Sequence, residues 1–214
     1  MRPWFLGAVL AFIAALFCRP AEPAPGKVKL DSVVGKLDLD VLLPMLEKGE
    51  VSLVESYRNG CLRQVTVMCL ADVTPRKIWE VITDYNHYLE FFPNLEGLEI
   101  VRWTGEEIVL EYELEVPGPN MEYTLIHKHS PPGRIDIYLA DDEGDIQTGA
   151  WRWELVPLEH GKRTIIVYTL YTDVREASWF IRQALKASPS IEHGLNVATG
   201  LVTVRAVKKR AEGK

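Results

Sequence analysis

The sequence predicts an α+β domain in which a curved antiparallel sheet wraps around a long C-terminal helix. Three observations lead there. Between residues 51 and 172, apolar and polar side chains alternate through one short segment after another, as on half-buried strands. The connections are short and carry Gly, Pro, Asn and Asp, which join neighbours as antiparallel hairpins. The apolar period lengthens to three or four residues most clearly after Thr74 and after Ala177. Helices segregated from an antiparallel meander pack on a face of its sheet.

Taken in order, residues 25–49 form a weakly patterned lead-in, within which LDVLLPMLEKGE suits a short amphipathic helix interrupted at Pro44. Strand patterns at 51–57 and 62–73 flank Asn59-Gly60, a dipeptide fitted to the positive φ angles of a tight hairpin. Thr74 then caps a helix with Pro75 at its first position, and Ile78, Val81, Ile82 and Tyr85 recur at helical spacing. Tyr88, Phe91 and Phe92 lead to Pro93, which ends the helical stretch. Six strands follow, at 97–103, 108–116, 121–129, 134–140, 148–156 and 164–172. They are separated by Gly105-Glu106, Pro117-Gly118, Pro131-Pro132-Gly133, residues 142–145 and His160-Gly161. From 177 to 212 the sequence reads as one long helix region with Ser188-Pro189 as a cap and Ile191, Leu195, Ala198, Leu201 and Val202 as its apolar positions. Its basic end, Arg205, Lys208, Lys209 and Arg210, matches the negative pole of the helix dipole; attraction to an anionic membrane surface is a second reading.

The N-terminus bears on where the chain works. Arg2 precedes an apolar run from Trp4 to Phe17, and Arg19 opens the segment RPAEPAPG. That is the layout of a signal peptide over residues 1–24, with a cut near Ala21 or Ala24. The run is shorter than the roughly 20 residues of a spanning helix, and a retained N-terminal membrane anchor is the alternative. Either way the chain is expected to be exported, to the periplasm or the medium. Bulky Phe17 before Cys18 fits poorly with lipidation. Removal of residues 1–24 leaves 190 of the 214, which suits one domain with a sizeable core. It also removes two positive charges and one negative, taking the formal charge from −6 to −7 and excluding nucleic acid as a natural partner. Cys61 and Cys69, eight positions apart on one extended run, stand roughly 26 Å apart at strand rise, so no internal disulfide is expected, and of two unpaired thiols at least one is expected to be buried as a small apolar residue.

Residues 71–101, ADVTPRKIWEVITDYNHYLEFFPNLEGLEIV, resemble the opening of the START-like (SRPBCC) superfamily, in its polyketide cyclase/dehydrase and coenzyme Q-binding branch. The resemblance rests on Ala71, Pro75, Ile78, Trp79, Asp84, Tyr85, Phe92 and Pro93. Residues 148–174, TGAWRWELVPLEHGKRTIIVYTLYTDV, are similar to the family's late strand pair, with its Gly-x-Trp strand. The resemblance implies a helix-grip fold over residues 50–212 with an apolar cavity between sheet and long helix. Members variously bind lipids, sterols or quinones, cyclise polyketides or associate with ribosomes, so the fold does not by itself choose a function.

Alternation turns Leu110, Tyr112, Leu114 and Val116 inward and Glu111, Glu113 and Glu115 to solvent. Met121, Tyr123, Leu125, His127 and His129 share one face of the next strand, and Gly149, Trp151, Trp153 and Leu155 share one face of a later strand. Such aromatics line a small-molecule pocket or fill a core, and the resemblance favours the pocket. The expected function is therefore binding and transport of a hydrophobic small molecule, such as a lipid or isoprenoid quinone. Tyr112, Tyr123, His127, Trp151 and Trp153 are the ligand-binding wall, the histidine orients a polar head at the cavity mouth, and no cofactor is called for. The alternatives are a cyclase- or hydrolase-type enzyme using Tyr123 or His127 as acid or base, and an envelope scaffold with a filled core. No Gly-x-Ser-x-Gly elbow, phosphate loop or calcium loop is present, and His127 and His129 lack the further ligands of a metal motif.

Overall fold

The computed structural model describes residues 28–116, 119–140, 144–175, 179–188 and 190–214. The expected signal peptide or anchor therefore lies outside the described residues. The antiparallel sheet has eight strands: β1 (Val51–Ser56), β2 (Leu62–Ala71), β3 (Leu95–Trp103), β4 (Glu107–Leu114), β5 (Met121–Ser130), β6 (Arg134–Leu139), β7 (Gly149–Leu158) and β8 (Arg163–Thr172). Their order is β1-β2-β8-β7-β6-β5-β4-β3. Strands β3 to β8 are the expected meander, and β8 closes on β2. Between β2 and β3 the chain crosses to the far edge through α2 (Pro75–Ile82) and a 3₁₀ segment at Tyr85–Glu90. Thr74 caps α2 as the sequence predicts, its hydroxyl accepting from the Lys77 amide.

The C-terminal region divides into α3 (Trp179–Ala187) and α4 (Ile191–Glu212), which ends at Gly213 in the left-handed conformation. The single long helix expected from 177 is thus two, with only the second gripping the sheet. The stripe that packs is also different. Asn196, Gly200, Val204, Val207 and Ala211 are buried, whereas Ala198 and Val202 are exposed. A Cβ on Gly200 would stand 2.6 Å from Val67 Cγ2 and 3.0 Å from Leu170 Cδ2, so glycine is what lets α4 seat against β2 and β8. Buried Asn196 fixes the other end of the contact, accepting from the Thr172 amide and donating to the Thr172 and Glu192 carbonyls.

Strands β2 and β8 are buried on both faces, as in a three-layer arrangement. Val67, Cys69, Ile166 and Leu170 join the main core beneath α4, while Met68, Leu70, Ile165 and Val167 meet a second cluster with Val33, Leu42 and Leu46. That second layer is the segment expected only as a lead-in. Its helix α1 (Leu39–Leu46) is capped by Asp38 and continues through Pro44. Residues before it are pinned by buried polar contacts. Gln64 exchanges hydrogen bonds with the Asp31 backbone, Ser32 donates to Glu154, and Arg152 donates to the Leu30 carbonyl and to Asp136. Burial alone would raise the Asp136 carboxyl, but its bonds to Arg134 and Arg152 outweigh that and hold it below the usual range.

The basic end of α4 is tied down within the molecule. Arg205 pairs with Glu50 at 3.0 Å and Arg210 with Glu90 at 2.7 Å, Arg210 also lying 5.6 Å above the Phe91 ring. Two of the four cations considered for a membrane surface thus have intramolecular partners. Cys69 is free and buried, its thiol pushed up to about 12 by desolvation. Cys61 corrects the expectation of unpaired thiols and of no internal disulfide: it is disulfide-bonded.

Candidate ligand cavity

Beyond the close contact at Gly200, the curved sheet and α4 separate and leave a cavity of about 360 Å³. Alternation supplies its floor. Tyr112 and Leu114 come from β4, Tyr123, Leu125 and His127 from β5, Ile137 from β6, Trp151 and Trp153 from β7, and Tyr168 from β8. The helix side is Leu195, Ala198, Thr199, Val202 and Thr203, and Tyr88 with residues 92–95 closes one flank. Among these, Pro93, Asn94, Glu115, Ala198, Thr199 and Val202 are exposed and mark the mouth.

All five residues named from the sequence, Tyr112, Tyr123, His127, Trp151 and Trp153, line this one cavity. Register explains their contact. Tyr112 is paired across the ladder with Tyr123, and the rings stack with centroids 5.7 Å apart; Tyr123 in turn stacks on Trp151 at 6.5 Å. Trp153 is paired with Tyr168, with centroids 4.2 Å apart. The Gly-x-Trp pattern has a steric origin, since a Cβ on Gly149 would fall 2.6 Å from Trp151 Cη2. Glycine there leaves the indole room to lie back along its own strand.

His127 departs from the expectation of a polar group at the mouth. It is 2% exposed, in the floor, with both ring nitrogens engaged. Tyr85 Oη lies 3.2 Å from Nδ1 and Tyr112 Oη 3.2 Å from Nε2. Tyr85 Oη is also 2.7 Å from Nε2 of half-buried His129. Desolvation, reinforced by His129, drives His127 down to about 3, and burial lowers His129 as well. Burial raises the phenols of Tyr85, Tyr112, Tyr123 and Tyr168. The floor is therefore uncharged at neutral pH, with hydroxyls and imidazole available only as neutral hydrogen-bonding groups.

Residues that sequence reasoning did not name for the wall include Tyr168, Tyr88 and the helix positions Ala198 and Val202. Tyr168 was within reach, because the His160-Gly161 turn sets β7 against β8 and thus Trp153 against Tyr168. The hydrogen bond from Tyr85 was not, since Tyr85 reads only as an apolar position on a helical face. His87 is exposed beside Asp84, and among the described residues no group of three or more His, Cys, Asp or Glu is placed to hold a metal ion.

A helix gripped by a curved antiparallel sheet, with an aromatic cavity where the two diverge, defines a START-like ligand-cavity fold. The sequence profile of polyketide cyclase/dehydrase and lipid transport proteins matches residues 71–188, more than half of the chain, and the chain belongs to that family. No curated protein matches the sequence. Solved structures share its fold at low identity. A STAR-related lipid transfer protein fragment from Xanthomonas axonopodis is 17% identical with a TM-score of 0.55, covering 77% of this chain and 94% of that one. The ZhuI aromatase/cyclase from a Streptomyces species is 18% identical with a TM-score of 0.53, over 70% and 93% of the two chains. A START superfamily protein from Mycobacterium smegmatis is 16% identical with a TM-score of 0.52, over 70% and 97%.

Proposed function

We propose that this protein holds a compact, uncharged hydrophobic molecule in its cavity and carries it outside the cytoplasm. The observation that bears the weight is the floor itself: aromatic, neutral, and open to solvent past Ala198 and Val202. Binding draws on transfer of apolar surface from water, worth about 25 cal/mol per Å². A volume of about 360 Å³ lies at the small end of ligand pockets, which run from about 300 to 1,000 Å³. It suits a ring system or a single chain rather than a whole two-chain lipid. An anion would meet no buried cation at the floor, and Glu115 stands at the mouth. The family's lipid transport description and the lipid transfer neighbour support the carrier reading. Export rests on the apolar run from Trp4 to Phe17 and its flanks.

An enzyme of the aromatase/cyclase kind, like the Streptomyces neighbour, fits the floor less well. Both nitrogens of His127 are already bound to protein hydroxyls, and burial pushes the Tyr123 phenol away from acid–base work near neutral pH. Mass spectrometry of organic extracts tests the carrier reading, using protein purified from its native envelope fraction beside an Ala198→Trp variant that fills the mouth from the solvent side. A discrete neutral apolar molecule in the wild type, lost from the variant, is the expected result. An empty wild type that also fails to take up neutral N-phenylnaphthylamine would overturn it.

A further inference from the structure

His127 sits between two phenols, and a neutral imidazole carries one N–H and one lone pair. Its two hydrogen bonds must therefore run in the same sense. The chain continues through Tyr85 to His129, so four groups are linked in the order Tyr112, His127, Tyr85, His129. Only two orders satisfy every link. In the inward order His129 Nε2–H donates to Tyr85, Tyr85 donates to His127 Nδ1, and His127 Nε2–H donates to the Tyr112 oxygen. The Tyr112 proton is then free for the cavity. In the outward order Tyr112 donates to His127 Nε2, His127 Nδ1–H donates to Tyr85, and Tyr85 donates to His129 Nε2. Tyr112 then offers the cavity only a lone pair. A mixed order strands the buried Tyr85 proton without an acceptor or sets two lone pairs face to face, either of which is costly in a buried network.

We propose that this chain is a reversible polarity relay: Tyr112 meets a ligand carbonyl as a donor or a ligand hydroxyl as an acceptor, with His127, Tyr85 and His129 reordering behind it. The relay rests on the ligand-binding reading above and narrows it. The ligand class becomes a hydrophobic molecule bearing one uncharged oxygen function, accepted in its carbonyl or its hydroxyl form. Because each of the four groups stays neutral in both orders, neither form brings a charge into the floor. From the inward to the outward order, half-buried His129 takes a proton from solvent on Nδ1 and passes Nε2–H to Tyr85, and Tyr85 passes its own proton to His127 Nδ1. His127 passes Nε2–H to Tyr112, and the displaced Tyr112 proton leaves to water in the open cavity; the return runs the same transfers backwards. His127 and Tyr85 act here as positioning residues, and Tyr112 is the contact.

The test uses the full chain with ¹⁵N-labelled histidine and three probes of one size: ethylnaphthalene, acetylnaphthalene and naphthol. Ring-nitrogen shifts of His127 should report protonation at Nε2 with acetylnaphthalene and at Nδ1 with naphthol. In Tyr85→Phe, His127 should show one tautomer with both. Tyr112→Phe should weaken acetylnaphthalene and naphthol about five-fold more than ethylnaphthalene, the worth of one hydrogen bond. If all three probes bind the wild type and the His127 tautomer is the same in every complex, the relay is wrong and the ligand cavity stands. If none of the probes binds, the ligand-binding reading falls and the relay with it.

Discussion

One helix serves two regions of this molecule in opposite ways. Against β2 and β8, α4 presents Asn196, Gly200, Val204 and Val207, all buried, and at Gly200 nothing larger than hydrogen fits over Val67. Toward β4–β7, the same helix presents Leu195, Ala198, Thr199 and Val202, and about 360 Å³ stays open beneath them. The packed side is also covered from behind, by Val33, Leu42 and Leu46 on the outer face of the sheet. Stability and function are thereby separated: the doubly covered strands hold the helix in place so that the other side need not be filled. A core packed to uniform density leaves no such space.

The contrast is broken most strongly by truncation. Leu170→Ala, on the packed side, should cost about 3–4 kcal/mol, because a new void opens in a close-packed site. Leu125→Ala borders space that is already open and should cost about 1–2 kcal/mol less, read by urea unfolding of both variants. Overpacking gives the converse: Gly200→Val should lose about 2 kcal/mol from its clash with Val67 and Leu170. Ala198→Val, on the exposed cavity rim, should stay within about 0.5 kcal/mol of the wild type in the same assay.

The polar part of the floor sharpens the comparison through pH. His127 has its folded value lowered to about 3 from an ordinary 6.5, so between those values the unfolded chain binds the extra proton. The stability that neutral His127 contributes is complete above 6.5 and is lost as pH falls toward 3. Replacing it by glutamine should flatten the acid limb of stability against pH by up to about 1.4 kcal/mol per pH unit. His129, also lowered by burial, leaves a residual slope of the same sign in both proteins, and His87, raised by Asp84, a slope of opposite sign. Equal slopes in the two proteins would mean that His127 is not held neutral by the fold. The smallest effect is expected at the helix end. Glu90→Gln removes the half-exposed partner of Arg210 and should change unfolding by no more than about 0.5 kcal/mol.

Much of this was legible because strand alternation is a local signal. Tyr112, Tyr123, His127, Trp151 and Trp153 fall on inward faces once each strand is recognised, and the strand boundaries differ from expectation by only a few residues. The packed stripe of α4 was not legible. It is built of small residues chosen to fit a surface on β2 and β8, so it carries little apolar contrast, whereas Leu195 and Val202 stand out and face the cavity. The second layer from residues 30–46 was missed for a different reason: its apolar side chains are not confined to one face, with Leu39, Val41 and Met45 exposed beside buried Leu42 and Leu46, and only the continuous burial of β2 and β8 shows that something must cover their outer face. The Tyr85–His127 link joins residues far apart in sequence, and no pattern within either segment announces it.

Ligand-dependent unfolding tests most directly that the cavity is a binding site rather than an unfilled gap. A neutral apolar probe such as N-phenylnaphthylamine, at a hundred times its dissociation constant, should stabilise the wild type by about 2.7 kcal/mol. Ala198→Trp, folded but occluded at the mouth, should gain no such stabilisation. Equal stabilisation of both proteins, or of neither, would contradict the assignment.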